Sequence, residues 1–398
     1  MKLIKILYPY LILFFLIYMG PVKIGPITFS QVWKIPLFVF LFWQVLINRN
    51  DKKLGMIKWS YARAAKNLVT ANFSVSYFYG IVDFIRYMMF PLMFEYAYRN
   101  IKNIRKLDKF LLGFAQFIIL SGIPFSLGLL KGKAEDAQSF IDFESYIGMF
   151  QNTHGASITT TTAVLILMAY LKVNATIIKY KGLNYALLIY GISLVYLTFV
   201  RTGYLMFIVG VVFLFLPKKL NFKQVVSGLT VFLILGLGFY VLLESNEVFY
   251  NRIFDIRNGK QTAAGSGRFL FWMASFELWY NGSVFEMFFG HGFYALIMHM
   301  YQKTGLPVFA HNEFFTQLGQ NGLLGVFFFI GYLISLFKFI WRRKILPSYR
   351  LAMTIFFLYG SLMMTQGGMW FELDVFMVLV FVKLEFENIL RKRMMKYG

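Results

Sequence analysis

Three short stretches carry side chains whose type and spacing could do chemistry. In Phe199-Val200-Arg201-Thr202-Gly203-Tyr204 an arginine stands in a tight turn between two apolar runs. A guanidinium at that depth is costly unless it snorkels to water or meets an anion, and both readings stay open. In Ala264-Gly265-Ser266-Gly267-Arg268 a capping serine and flanking glycines precede an aromatic-rich helix expected over Phe269 to Asn281. Free N–H groups at a helix start and an arginine fork in its first turn together suit a phosphate. The alternative is an ordinary interfacial helix whose Arg268 meets Glu277 or lipid headgroups. In His311-Asn312-Glu313, Asn312 is a natural N-cap and Glu313 suits the positive end of a helix dipole. His311, just ahead of that helix, is either a hydrogen-bonded loop residue or a group that exchanges protons near neutral pH.

The elements that must position these residues are membrane helices. Of 398 residues, 59% are hydrophobic and only 15% charged, whereas a soluble domain carries roughly 25% charged residues to cover its surface. A soluble enzyme is thereby excluded. The absence of Cys removes thiolate catalysis, thiolate metal sites and disulfides. Apolar runs extend over Leu3 to Gly20, Val32 to Asn48, Phe110 to Leu130, Gly155 to Val173 and Leu183 to Val200. They continue over Gly203 to Leu216, Val225 to Leu243, Gly322 to Ile340, Leu351 to Thr365 and Leu373 to Ile389. Leu68 to Tyr98 is too short for two full spans and reads as a tilted or re-entrant pair, its first helix borrowing from Met56 to Asn67. That gives about 12 membrane segments. Within the pair, Asp83 and Arg86 share a helix face, as a self-neutralising pair or as part of a lipid or glycan path. Met1-Lys2-Leu3-Ile4-Lys5 imitates a secretory signal, but no small-x-small cleavage site follows, so the run is kept as the first membrane helix.

Forty Lys and Arg against eighteen Asp and Glu give a formal charge of +22. Most of the cations fall in alternate connections, including a cluster of Lys52, Lys53, Lys58, Arg63 and Lys66 and another of Arg391, Lys392, Arg393 and Lys396. The positive-inside bias then places both termini in the cytoplasm. The charge reports topology and contact with membrane lipids rather than nucleic acid. The chain divides into N-terminal membrane helices (1–243), a large external loop (244–318) and C-terminal membrane helices (319–398). A connection of that length is usually functional or has structure of its own. All four histidines, His154, His291, His299 and His311, fall on the external side.

Taken in order, Arg201-Thr202-Gly203, Gly265-Ser266-Gly267-Arg268, Gly290-His291-Gly292 and His311-Asn312 through Asn321-Gly322-Leu323-Leu324-Gly325 resemble the O-antigen polymerase and O-antigen ligase superfamily of bacterial membrane glycosyltransferases. The resemblance covers roughly residues 145 to 345, and its most specific part is the stretch from His311 to Gly325. It implies an all-α integral membrane protein of GT-C-like architecture in the bacterial cytoplasmic membrane. The implied donor is a polyprenyl-pyrophosphate-linked oligosaccharide and the acceptor a growing glycan hydroxyl, with no metal ion or other cofactor. A chain-length regulator and a flippase are the further partners implied. The resemblance assigns Arg201 and Arg268 to the pyrophosphate and His311 to the acceptor proton, with Asn312 orienting it. The turn Asn152-Thr153-His154 lacks the Pro of many relatives, which leaves His154 a secondary candidate beside Asn312, His291 and Tyr204.

Those roles suit the chemistry. The leaving diphosphate gathers charge that fixed guanidinium groups stabilise, and a histidine can take the proton of the attacking hydroxyl. The loop acids Glu244, Glu247, Asp255, Glu277, Glu286 and Glu313 form no close motif, so a single displacement with inversion is expected. The leading expectation is a polymerase of lipid-linked repeat units for O-antigen, capsule or exopolysaccharide. The ligase of the same superfamily, which moves the finished glycan to lipid A core or protein, stands beside it. A transporter or flippase is the reading from another class, but such proteins usually show repeated halves, which the large loop interrupts.

Overall fold

A computed structural model describes residues 2–47 apart from 21, 25 and 26, then 54–69, 77–132, 145–150, 152–173, 176–215, 268–367 and 371–397, with scattered positions between 237 and 261. Most of the expected span Val225 to Leu243, the motif residues Gly265 to Gly267 and most of the first half of the large loop lie outside the described residues.

The described chain is helical apart from two hairpins of two-residue strands, β1 (Lys23–Ile24) with β2 (Ile27–Thr28) and β3 (Ile256–Arg257) with β4 (Lys260–Gln261). The helices are α1 (Lys2–Tyr18), α2 (Phe29–Ile47), α3 (Gly55–Val69), α4 (Tyr77–Asn100), α5 (Ile104–Leu120), α6 (Ile123–Ser126), α7 (Thr153–Lys172), α8 (Lys181–Leu197) and α9 (Arg201–Phe215). After them come α10 (Arg268–Tyr280), α11 (Val284–Phe289), α12 (Phe293–Thr304), α13 (Glu313–Trp341), α14 (Tyr349–Thr365) and α15 (Phe371–Tyr397). Among the described residues three helices are long and apolar enough to cross a membrane: Ile104–Ser126, Thr153–Lys172 and Glu313–Trp341. Val32–Ile47, Lys181–Leu197 and Arg201–Phe215 are shorter apolar helices. Helices suit such runs because each satisfies its own backbone polar groups without water.

α7 is the most enclosed of the three, with Ala156 through Leu167 buried against α5, α8, α9 and α14. Four threonines, Thr159 to Thr162, sit in that buried run, and Thr162 Oγ1 returns its proton to the Ile158 carbonyl at 2.8 Å. Such back-bonding lets a hydroxyl be buried without a partner from another helix. Rings pack other helix pairs, with Phe90 edge-on to Tyr332 and to Phe381 and Phe114 against Phe376.

The first helix of the pair expected around 68–98 does borrow from Met56 to Asn67: α3 covers Gly55–Val69 and packs against α4, a single helix of 24 residues. One expectation is corrected. Arg63 and Lys66 do not belong to a solvent-facing basic cluster, because both are buried where α3 packs against α13. Arg63 Nη2 reaches Glu313 Oε1 at 2.5 Å, and Lys66 bonds Gln317. Asp83, read as a partner of Arg86, lies 4.0 Å from it and accepts a closer bond from Gln320 at 2.7 Å.

α13 bends where Gly322 adopts φ 61° and ψ −160°, separating a polar first segment from an apolar second one. Gly290-His291-Gly292 lies across this bend. Gly292 N donates to the Gln320 carbonyl at 2.8 Å and His291 N to the Gly319 carbonyl at 3.3 Å, occupying acceptors the bend releases. A side-chain carbon at Gly290 would come within 2.3 Å of Gln320 O and Asn321 N, so the crossing requires glycine. The two motifs are thus halves of one structural joint.

Candidate functional site

The helix starts named by the sequence are gathered by contacts among α7, α9, α10, α13 and the end of α14. α10 lies against the first turn of α13: Ser275 Oγ donates to the Phe315 carbonyl at 2.6 Å, and Trp272 stacks on Phe315 with centroids 5.6 Å apart. Arg268, the first residue of α10, is thereby brought to His311, whose ring lies 5.6 Å from that of Phe271. Asn312 caps α13 as expected, accepting from the backbone N–H of Phe314 at 2.9 Å. Its Nδ2 donates to the Met364 carbonyl at 3.1 Å, which ties the cap to the end of α14.

His311 holds φ 51°, a left-handed conformation that a non-glycine residue adopts at a cost and that clusters at functional sites. Burial lowers its imidazole from the ordinary 6.5 to about 4, and the positive charge of Arg268 pushes the same way, against a backbone hydrogen bond with Gln366. At neutral pH His311 is therefore an uncharged imidazole beside a guanidinium, an acceptor of protons rather than a donor of charge.

Arg201 opens α9. A side-chain carbon at Gly203 would fall 1.7 Å from Ser157 Oγ, so glycine is what lets α9 close onto α7. The contact sets Arg201 and Thr202 beside the start of α7, where Asn152 caps the helix by accepting from Gly155 N at 2.8 Å. Between the helix starts lies Gln366, at the end of α14, whose Nε2 is 3.0 Å from His154 Nδ1 and 3.2 Å from Thr202 Oγ1. The charge of Arg268 thus reaches His311, and hydrogen bonds run from His311 to Gln366 and from Gln366 to both Thr202 and His154.

The remaining candidates have other company. His291 Nδ1 sits 3.4 Å from Glu286 and its main chain serves the α13 joint. Tyr204 donates its hydroxyl to the Tyr196 carbonyl at 2.6 Å, pinning α9 to α8. Glu277, offered as a partner of Arg268, pairs instead with Lys303 at 2.5 Å. Glu313, counted among the loop acids, is fully buried and bonded to Arg63, to the Tyr87 hydroxyl at 2.6 Å and to Gln317 at 2.9 Å. Gln366 was no candidate from sequence. A lone glutamine before Gly367-Gly368 has no spacing to betray it, and only its place in an external segment could have drawn notice.

A family model described as O-antigen ligase matches residues 186–330, a range that contains Arg201, Arg268 and His311. No curated protein matches the chain. The match supports the O-antigen ligase and polymerase superfamily over that stretch, and with the apolar helices it points to a membrane protein.

Proposed function

We propose that this protein is a membrane glycosyltransferase that joins polyprenyl-pyrophosphate-linked oligosaccharide repeat units into O-antigen, capsular or exopolysaccharide. In this reading it has about 12 membrane segments in a GT-C-like arrangement, with both termini cytoplasmic and the site on the outer face. The observation that carries it is the guanidinium of Arg268 beside the neutral imidazole of His311, within the region matched by the family.

The acceptor hydroxyl oxygen attacks the anomeric carbon as the bond from that carbon to the phosphate oxygen breaks. The electron pair leaves on the lipid diphosphate, which Arg201 and Arg268 stabilise more strongly as its charge grows. The hydroxyl proton passes to His311. An imidazole with a pKa near 4 is a weak base in the empty site, but the arriving diphosphate offsets the charge of Arg268 and raises its affinity for the proton. Binding the donor thus prepares the base. One displacement inverts the anomeric centre.

The description of the matched family favours a second reading, transfer of the finished glycan to lipid A core or a protein. Purified protein given a defined polyprenyl-pyrophosphate oligosaccharide, without divalent cations, should build a ladder of products. Transfer only to an added lipid A core acceptor would favour the ligase, and a strict metal requirement or a covalent glycosyl-enzyme would overturn the mechanism. In cells, Arg268→Ala and His311→Ala should abolish long chains while single repeat units still reach the surface. Repeat units held on the cytoplasmic side would point to a flippase.

A further inference from the structure

Gln366 is 7% exposed and touches two histidines, one with its side chain and one with its main chain. A carboxamide nitrogen carries two hydrogens and no lone pair free to accept, so Nε2 can only donate. One hydrogen goes to Thr202 Oγ1. The other goes to His154 Nδ1, which must then be unprotonated, leaving the ring proton on Nε2. The Gln366 N–H donates to the Leu362 carbonyl at 2.8 Å, fixing the residue to the last turn of α14. The side chain is therefore held from both ends in a place that water scarcely reaches.

We infer that Gln366 is a positioning residue: its carboxamide holds His154 in the Nε2-protonated tautomer next to the start of α9, while its main chain aims His311. His154 then carries its ring proton on Nε2, while His311 meets the main chain of the same glutamine. The two imidazoles are set by their partners, as the hydrogen bond on one ring nitrogen decides what the other can do. In the glycosyl-transfer reading, on which this role rests, the fixed ring stands beside the start of α9 and so beside the Arg201 turn that the reading assigns to the diphosphate. Thr202 couples that arrangement to Arg201, its neighbour in the chain, so a displaced Gln366 disturbs a histidine, the α9 start and the His311 aim together.

The state of His154 can be read without substrate. The chain has four histidines, so full-length protein labelled with 15N-histidine in lipid nanodiscs gives a short spectrum, and the signals lost in His154→Gln assign that ring. The expected wild-type spectrum has Nδ1 unprotonated and Nε2 protonated. Gln366→Glu places an acceptor-only carboxylate against Nδ1 and should draw a proton there, and Gln366→Ala should leave the tautomers mixed. Turnover of the lipid-linked donor should fall about tenfold in both variants, because the orientation of the site is lost. A protonated Nδ1 in the wild type, or a Glu variant whose His154 signals stay where they were, overturns the inference. Should the spectra behave as expected while His311→Ala and Arg268→Ala keep full ladder formation, the tautomer assignment stands and the glycosyl-transfer reading falls.

Discussion

The carboxylate of Glu313, two residues beyond His311, accepts a 2.5 Å hydrogen bond from Arg63 Nη2, a residue 250 positions earlier in the chain. Both side chains are buried, at 2% and 0% exposure, so neither charge has water to fall back on. The guanidinium also lies over the rings of Tyr87, Phe329 and Tyr332 and donates to the Tyr359 hydroxyl at 3.3 Å. This pair fixes the first turn of α13 to α3, and with it the cap from which His311 projects.

Truncating one partner strands the other charge. Arg63→Ala or Glu313→Ala should each lower stability by about 3–5 kcal/mol, whereas replacing both by apolar residues of similar volume should recover most of it. Thermal unfolding of the detergent-solubilised variants checks this. Additive losses in the double variant would show that the two groups do not act as a pair.

The low pKa of His311, about 4 against an ordinary 6.5, fixes two pH dependences. Between those values the unfolded chain holds a proton on this residue that the folded chain does not. The stability linked to His311 is thus complete above 6.5 and is lost as pH falls toward 4, a slope that His311→Gln should remove. In catalysis, the acid limb of kcat/KM reports the free enzyme and should lie near 4. The limb of kcat reports the complex and should lie higher, because bound diphosphate raises the imidazole. Coincident limbs would mean that donor charge does not reach His311.

Arg268 acts on both the leaving group and the base, so its removal should be read twice. Arg268→Ala should lower turnover by about 10²- to 10³-fold and move the acid limb of kcat/KM upward, since the charge that depresses His311 is gone. Arg268→Lys keeps the charge without the planar fork and should lie between. Ladder assays over a range of pH separate the two effects; an unchanged acid limb in Arg268→Ala would dissociate this arginine from His311.

Local pattern explains what could be read from sequence. Asn312 declares itself as a cap by its type and place, and the arginines and histidine stand out because charge is scarce in so apolar a chain. The buried network was hidden for the same reason in reverse. Arg63 and Lys66 follow Lys58 in a basic stretch, and the positive-inside rule counts them as loop charges unless Glu313, Gln317 and Asp83 are known to lie opposite. Gln366 was illegible because its significance is entirely in its neighbours, drawn from α7, α9 and the loop before α13. Long-range pairing of this kind leaves no periodic trace in one sequence.

The approach of α9 to α7 gives a test of how the Arg201 turn is placed. At Gly203 a side-chain carbon would overlap Ser157 Oγ at 1.7 Å but lie 3.0 Å from Ser157 Cβ, so the hydroxyl is the main obstacle. Gly203→Ala alone should force the helices apart at their starts, carrying Arg201 and Thr202 away from Gln366, and cost about 1–3 kcal/mol as other overpacked cores do. Ser157→Ala alone removes a hydroxyl from a buried contact and should be nearly neutral. Combined with Gly203→Ala it should restore a large share of both stability and turnover, a non-additive result that thermal unfolding and ladder assays would register together. A double variant no better than Gly203→Ala would mean that the glycine serves the backbone of the turn itself and not the contact with α7.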